Sequence, residues 1–176
     1  MQNNTARPLA LGLTIIGALA RMAQNLNYAP VGAISLYAGA RLRGWQAYLL
    51  PIFLMAVTDP FLHGYSVTTP FVYASFLLSV WIGSRLRSTE NVVWIGAAAI
   101  AGSLQFFLLT NFGTWLLEPL YPHTLSGLVT CYTAAIPFFR HTLISDLGYS
   151  AVLFGLHALV SRTVVRSERV AAAQAA

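Results

Sequence analysis

The chain has 176 residues, of which 57% are hydrophobic and only 9% are charged. A soluble domain carries about 25% charged residues, so this composition excludes an ordinary water-soluble protein and predicts an integral membrane protein. The net charge of +5 comes from arginines without any lysine. These arginines form no basic face of the kind that binds nucleic acid, and the positive-inside rule explains them more simply.

The first predicted element is an apolar segment near the N-terminus. The sequence "MQNNTARPLALGLTIIGALARM" combines a basic residue, a short apolar run and the small residues Ala18 and Ala20, as a cleavable signal peptide does. The run continues through Arg21 and Met22, however, which favours an uncleaved first helix. The chain is therefore read as one membrane domain over 1–176.

Six segments are apolar and long enough to be membrane spans, since a crossing needs roughly 20 apolar residues, or fewer when its ends reach the interface. Short stretches with Asn, Gly, Pro and Ser separate them, as in turns. The predicted spans are 8–25, 27–42, 45–61, 70–85, 91–110 and 143–161.

The arginines predict the orientation of these spans. With six crossings, eight of the ten arginines fall on one side: Arg7, Arg41, Arg43, Arg85, Arg87, Arg162, Arg166 and Arg169. This side is then the cytoplasmic face of the membrane. Both termini are predicted to lie there, including a cytoplasmic tail over 164–176.

Residues 124–139 are also apolar, but a seventh crossing would move the last three arginines to the outside. We therefore expect an interfacial or re-entrant helix on the outer side, ending at Pro137, because proline fits poorly inside a helix. The predicted fold is an all-α membrane protein with six transmembrane helices and this extra helix before the last span.

Four polar residues share one predicted depth within the spans: Arg21, Asp59, Gln105 and Asp146. At 1.5 Å per residue they lie roughly 20–24 Å from the inner face. Because a charge inside a bilayer normally pairs or lines an aqueous pocket, we expect Arg21 to pair with Asp59, Asp146 or both, and the layer to bind a ligand. The alternative is that Arg21 extends to the headgroups and the aspartates are held by backbone groups.

Other side chains near the predicted outer ends complete this candidate site. Those that could rim it are His63, His123, Arg140 and His141. Trp115 and Tyr132 are candidates for stacking on a ligand ring, whereas Cys131 is interpreted as a buried packing residue. No cluster has the ligand spacing of a metal site. Small residues at 32–40 and 96–103 predict close helix packing, within the bundle or against a membrane partner.

Three segments carry a family resemblance. "NYAPVGAISLYAGA" (27–40), "NFGTW" (111–115) and residues 121–155 resemble an uncharacterised bacterial family of small membrane transport proteins similar to the S components of energy-coupling-factor (ECF) vitamin transporters. The resemblance implies a six-helix bundle in the bacterial inner membrane, with both termini inside and an outward pocket for a vitamin-like or cofactor-precursor-like ligand. It also implies a transmembrane coupling subunit with two ATPases. The A-x-x-x-A motif of the first helix of S components is missing from "GALARMA" (17–23).

The residues also leave other functions open. A non-transport subunit of a larger membrane complex would use the small-residue faces as interfaces, and a solitary proton-coupled permease would use Asp59 and Asp146. An intramembrane enzyme would need pairs such as His141 with Asp146, or Cys131 with His123 or His141. Because no third orienting group accompanies these pairs, we expect no enzymatic activity and no cofactor.

Overall fold

The computed structural model describes residues 6–21, 30–62, 64–87 and 89–174. In this part of the chain every regular element is a helix, which confirms the all-α prediction. The six helices are α1 (Ala6–Ala20), α2 (Val31–Arg41), α3 (Gln46–Leu62), α4 (Thr69–Ser84), α5 (Val92–Leu117) and α6 (Leu125–Gln174).

The helix ends follow from local chemistry. Asn91 caps α5, since its side-chain oxygen accepts a hydrogen bond of 2.9 Å from the amide of Val93. A proline occupies the first turn of α4, where its missing amide hydrogen has no intrahelical partner to lose. Gly44 and Gly64 have φ values of +63° and +71° in the turns that precede and follow α3. Short connections therefore place consecutive helices side by side.

Helix α6 corrects one sequence-based prediction. Residues 124–139 do not form a separate interfacial helix, because α6 runs without a break from Leu125 through Pro137 to Gln174. A proline inside a helix removes a single backbone hydrogen bond, and α3 likewise continues through Pro51 and Pro60. The packing of α6 along α5 therefore outweighs the local preference of Pro137 for a helix end.

Helix α2 is the centre of the bundle, with nine of its eleven residues buried. Its contact with α4 is an approach of two backbones: a Cβ atom added to Gly39 would overlap the carbonyl of Val80, and one added to Gly83 would overlap that of Leu36. The segment 32–40 thus packs inside the bundle, as small-residue helix faces allow.

The ends of α2, α4 and α6 meet at one end of the bundle. Arg41 donates hydrogen bonds to the carbonyls of Leu86 (3.2 Å) and Thr89 (3.1 Å), and Arg162 forms an exposed ion pair of 3.5 Å with Glu90. One turn from Arg41 along α2, a contact between Tyr37 and His157 joins α2 to α6. These connections bring arginines from two distant parts of the sequence, α2 and α6, to the same end.

This contact is a buried hydrogen bond of 2.7 Å between the Tyr37 hydroxyl and Nδ1 of His157. Its two rings also meet edge to face, with centroids 5.8 Å apart. A buried hydroxyl and a buried imidazole without partners would each lose their hydration on folding. The pair therefore satisfies two polar groups and joins α2 to the second half of α6.

Two described helices are long and apolar enough to cross a membrane: Val92–Leu117 and Leu125–Thr163, with mean hydropathies of 2.0 and 1.5. The other four helices have 15, 11, 17 and 16 residues, below the roughly 20 residues of a full crossing. Helix lengths alone therefore support two crossings rather than the predicted six.

Polarity is distributed unusually between surface and interior. Large apolar side chains such as Phe53, Ile144 and Leu159 are 60–63% exposed, while small polar ones are buried. The buried small polar residues are Thr14, Ser35, Thr58, Ser75, Ser79, Ser103, Ser145 and Ser150. Several serines and threonines return their hydroxyl hydrogen bond to a carbonyl of their own helix, as Thr14 does to Ala10 at 2.8 Å.

Candidate ligand-binding site

An ion pair joins the C-terminal end of α1 to α3. Nη2 of Arg21 lies 2.6 Å from Oδ1 of Asp59, and the two side chains are only 10% and 8% exposed. The atoms are close without the alignment of a hydrogen bond, whereas Nη1 of Arg21 donates a well-formed one of 2.7 Å to Thr58 Oγ1. Of the two pairings that the sequence predicted for Arg21, the structure contains the one with Asp59.

The second carboxylate oxygen of Asp59 is held from α4. The hydroxyl of Tyr73 donates a hydrogen bond of 2.6 Å to Asp59 Oδ2. Tyr73 was not among the sequence-predicted site residues, because a tyrosine in an apolar span has the same pattern as one in an aromatic belt. The bond could be found only once α3 and α4 were placed side by side.

Asp146, on α6, is held in a different way. Its Oδ1 accepts a hydrogen bond of 3.1 Å from the backbone amide of Ala33, and its Oδ2 accepts one of 2.7 Å from Ser103 Oγ. The residue is 4% exposed. Gly32 makes the approach to α2 possible, because a Cβ atom there would overlap the Asp146 carboxylate. No described arginine forms an ion pair with Asp146.

Arg21, Asp59 and Asp146 together line a cavity of about 300 Å³. This volume is at the lower end of the range of small-molecule sites. Apolar and aromatic side chains make up much of the wall: Val31, Met55, Val72, Tyr73, Phe76 and Phe106. Phe76 and Phe106 also touch each other, with ring centroids 5.1 Å apart.

Three of the four residues in the predicted polar layer thus meet at one cavity, and the fourth does not. Gln105 is absent from the cavity lining. Its Nε2 donates to the backbone carbonyl of Ser75 at 2.8 Å and to Ser79 Oγ at 2.9 Å, which joins α5 to α4. The depth predicted from the sequence could not distinguish Gln105 from the other three residues, because the helix face on which a residue lies decides which neighbours it contacts.

The outer aromatic candidates form a separate cluster between α5 and the start of α6. Trp115 donates from Nε1 to the carbonyl of Pro122 at 2.9 Å and meets the ring of His123 at 5.7 Å. Tyr132 donates to the carbonyl of Leu108 at 2.8 Å. None of these three residues lines the cavity, so the structure assigns them to the packing of the α5–α6 hairpin.

The remaining candidates also lie away from the cavity wall. His141 is half-buried and Arg140 is exposed, and neither lines the cavity. Cys131 is buried with its Sγ 3.4 Å from the carbonyl of Asn111, in keeping with a packing role. His63 lies outside the described residues. Thr142, one turn before Asp146, is a lining residue that the sequence did not single out.

Most of the chain matches a protein-family model. A family model described as a family of unknown function, DUF6580, covers residues 1–171. No curated protein and no solved structure matches the chain.

Proposed function

We propose that this chain, which belongs to the DUF6580 family, is a membrane-embedded subunit that binds a small molecule for uptake. The observation that carries the proposal is the cavity of about 300 Å³ that Arg21, Asp59 and Asp146 line together. Buried charges are costly in an apolar surrounding and usually mark a functional site within a membrane. Here they are gathered at a hollow with aromatic walls, which is the usual form of a small-molecule site.

The polarity of the bundle supports placement in a bilayer. Exposed side chains such as Phe53 and Ile144 are apolar, and the helices meet through serine, alanine and glycine. A water-soluble monomer rarely exposes large contiguous apolar patches, whereas helices in lipid pack through small residues. Helices α3 and α4 have 17 and 16 residues, close to the lower limit for a crossing, and α2 is enclosed by the other helices. On this polarity, rather than on helix length, we propose that all six helices cross the inner membrane.

The direction in which the cavity opens follows from the arginines. Gly64, Ser66 and Thr69, in or beside the α3–α4 connection, line the cavity. This connection lies at the opposite end of α3 and α4 from Arg43 and Arg85. With the arginine-rich end and both termini in the cytoplasm, the cavity is accessible from the outer face.

The ligand set proposed from the structure is smaller than the one predicted from the sequence. It retains Arg21, Asp59 and Asp146 and adds Tyr73. Gln105 is left out, because it donates a hydrogen bond to α4 and does not line the cavity. Nε of Arg21 is buried and makes no hydrogen bond within the described part of the chain. A carbonyl or hydroxyl oxygen of the ligand would accept a hydrogen bond from this Nε.

The resemblance to S components implies a source of energy for uptake of the ligand. A transmembrane coupling subunit with two ATPases would drive release to the cytoplasm. A solitary carrier or a proton-coupled permease is the alternative for the same cavity, and a non-transport subunit would bind no small molecule. The proposal includes no enzymatic step.

The first test is ligand retention in a cavity-filling variant. The chain, purified in mild detergent from its native host, is expected to retain a small molecule that solvent extraction and mass spectrometry identify. Val72 lines the cavity, so Val72→Phe should lower the retained amount at least about tenfold, corresponding to 1.4 kcal/mol of binding free energy. Val57 is 49% exposed on α3 and does not line the cavity, and Val57→Phe is the matched control.

Equal retention by the wild type and Val72→Phe would show that the compound binds elsewhere, and a wild type without any bound compound would contradict the proposal. The proteins that co-purify with the chain distinguish between the modes of transport. A coupling subunit with two ATPases supports energised uptake, and recovery of the ligand-bound chain alone supports a solitary carrier.

The second test concerns topology. In a Cys131→Ser background, cysteines placed at Ser66 and Ser126 should react with an impermeant maleimide added outside intact cells. A cysteine at Arg43 should react only after the membrane is permeabilised. All three positions are exposed in the structure. External labelling of Arg43→Cys, or protection of Ser126→Cys until permeabilisation, would contradict the six-crossing arrangement.

A further inference from the structure

The charges around the cavity do not balance, and this imbalance indicates the kind of ligand. Among the residues that the structure describes, the charged ones that line the cavity are one arginine and two aspartates, Arg21, Asp59 and Asp146. Arg21 and Asp59 are 2.6 Å apart and neutralise each other. The inference rests on the proposed function, and it concerns the group that faces the remaining carboxylate.

Asp146 is the remaining carboxylate. Both of its hydrogen-bond partners, the Ala33 amide and the Ser103 hydroxyl, are neutral, and no ion pair to it exists among the described residues. A buried carboxylate without a cation is costly. A positively charged group of the ligand would supply the missing partner from inside the cavity.

Arg21 is poorly suited to hold an anionic ligand. Its guanidinium already contacts Asp59 and Thr58, and a ligand carboxylate in the cavity would face two carboxylates for one guanidinium. Carboxylates gathered around one small cavity repel each other strongly when water is excluded. Arg21 therefore gives the cavity no net attraction for an anionic group.

The rest of the wall suits an aromatic or apolar body. Phe76 and Phe106 both line the cavity with their rings in contact, and Met55 and Val72 complete the apolar side. Aromatic faces attract organic cations as well as apolar rings. The hollow thus combines a cation-seeking carboxylate with an aromatic wall.

We propose that the cavity binds a small organic cation, an amine carried on an aromatic body, with its ammonium group against Asp146. Three compounds with a shared indole ring test the charge directly: tryptamine (cationic), 3-ethylindole (neutral) and indole-3-propionate (anionic). Binding to the purified full chain in nanodiscs is measured by saturable thermal stabilisation.

Tryptamine is expected to bind at least about tenfold more tightly than either other compound, a preference equal to one ordinary charged contact. The Asp146→Asn variant should reduce this preference to less than about threefold, since asparagine has nearly the same shape and can still accept from the Ala33 amide. Glu90→Gln removes an exposed carboxylate that does not line the cavity and should leave the preference unchanged.

Indole-3-propionate or 3-ethylindole binding as tightly as tryptamine to the wild type would overturn the inference, whether or not Asp146→Asn folds. No saturable effect of tryptamine at millimolar concentration would overturn it as well. The proposed function fails by a different result, since it requires only a retained compound of any charge that Val72→Phe expels.

Discussion

Replacing Asp59 by alanine is expected to lower the free energy of unfolding by about 3–5 kcal/mol, the usual cost of breaking a buried ion pair from one side. The variant leaves the guanidinium of Arg21, 10% exposed, without its carboxylate, and it removes the acceptor of the Tyr73 hydroxyl. Denaturation of the purified chain in mixed micelles, followed by circular dichroism, measures the loss.

The control is the other ion pair of the described chain. Arg162 and Glu90 are 3.5 Å apart with side chains 77% and 58% exposed, so Glu90→Ala should change stability by less than about 1 kcal/mol. A loss in Asp59→Ala no larger than in Glu90→Ala would show that water reaches Arg21 and that the pair is not buried.

A double variant separates stability from binding at the same position. Arg21→Met with Asp59→Asn removes both charges and keeps an acceptor for Tyr73. Because neutral replacement of a whole buried pair is often well tolerated, we expect it to recover most of the stability lost in Asp59→Ala while ligand retention stays impaired. Full retention in the double variant would remove both residues from the ligand set.

Replacing Gly83 by alanine is expected to cost about 3 kcal/mol or more, at the upper end of the usual cost of overpacking. The added methyl group would overlap the backbone carbonyl of Leu36, which belongs to the central helix and cannot rotate away as a side chain can. Helices α2 and α4 would have to separate, and α2 also carries the amide that holds Asp146. The melting temperature in detergent and the yield of monodisperse protein measure the effect.

Gly96→Ala is the matched control. Gly96 also lies inside a helix, α5, but a Cβ atom there would meet nothing within 4 Å. Alanine is the better helix former by about 1 kcal/mol, so this variant should be neutral or more stable. Equal melting temperatures for Gly83→Ala and Gly96→Ala would mean that α2 and α4 do not approach through their backbones.

Predictions that depended on local composition agree with the structure more closely than those that depended on neighbours. The helix starts near residues 46, 69 and 92 were predicted to within one residue as spans beginning at 45, 70 and 91. The predicted end at Pro137 was wrong, because the loss of one hydrogen bond was weighed without the contacts that α6 makes with α5, such as Tyr132 with Leu108.

The same distinction, between position along a helix and neighbours in space, applies to the predictions for the candidate site. The shared depth of Arg21, Asp59 and Asp146 followed from counting residues along helices, and they do line one cavity. Gln105 had the same depth but faces Ser75 and Ser79. Trp115 and Tyr132 were assigned to a ligand for their ring chemistry alone, and their hydrogen bonds are to backbone carbonyls of the α5–α6 hairpin.

The sequence by itself determined that this protein is helical and apolar, because composition and residue spacing reflect the environment of each segment directly. Only the tertiary structure decided that Arg21 pairs with Asp59 while Asp146 accepts from Ala33 and Ser103. Those contacts join residues 38, 113 and 43 positions apart. They depend on which helix faces meet, and here the small size of Gly32 and Gly83 sets how closely those faces approach.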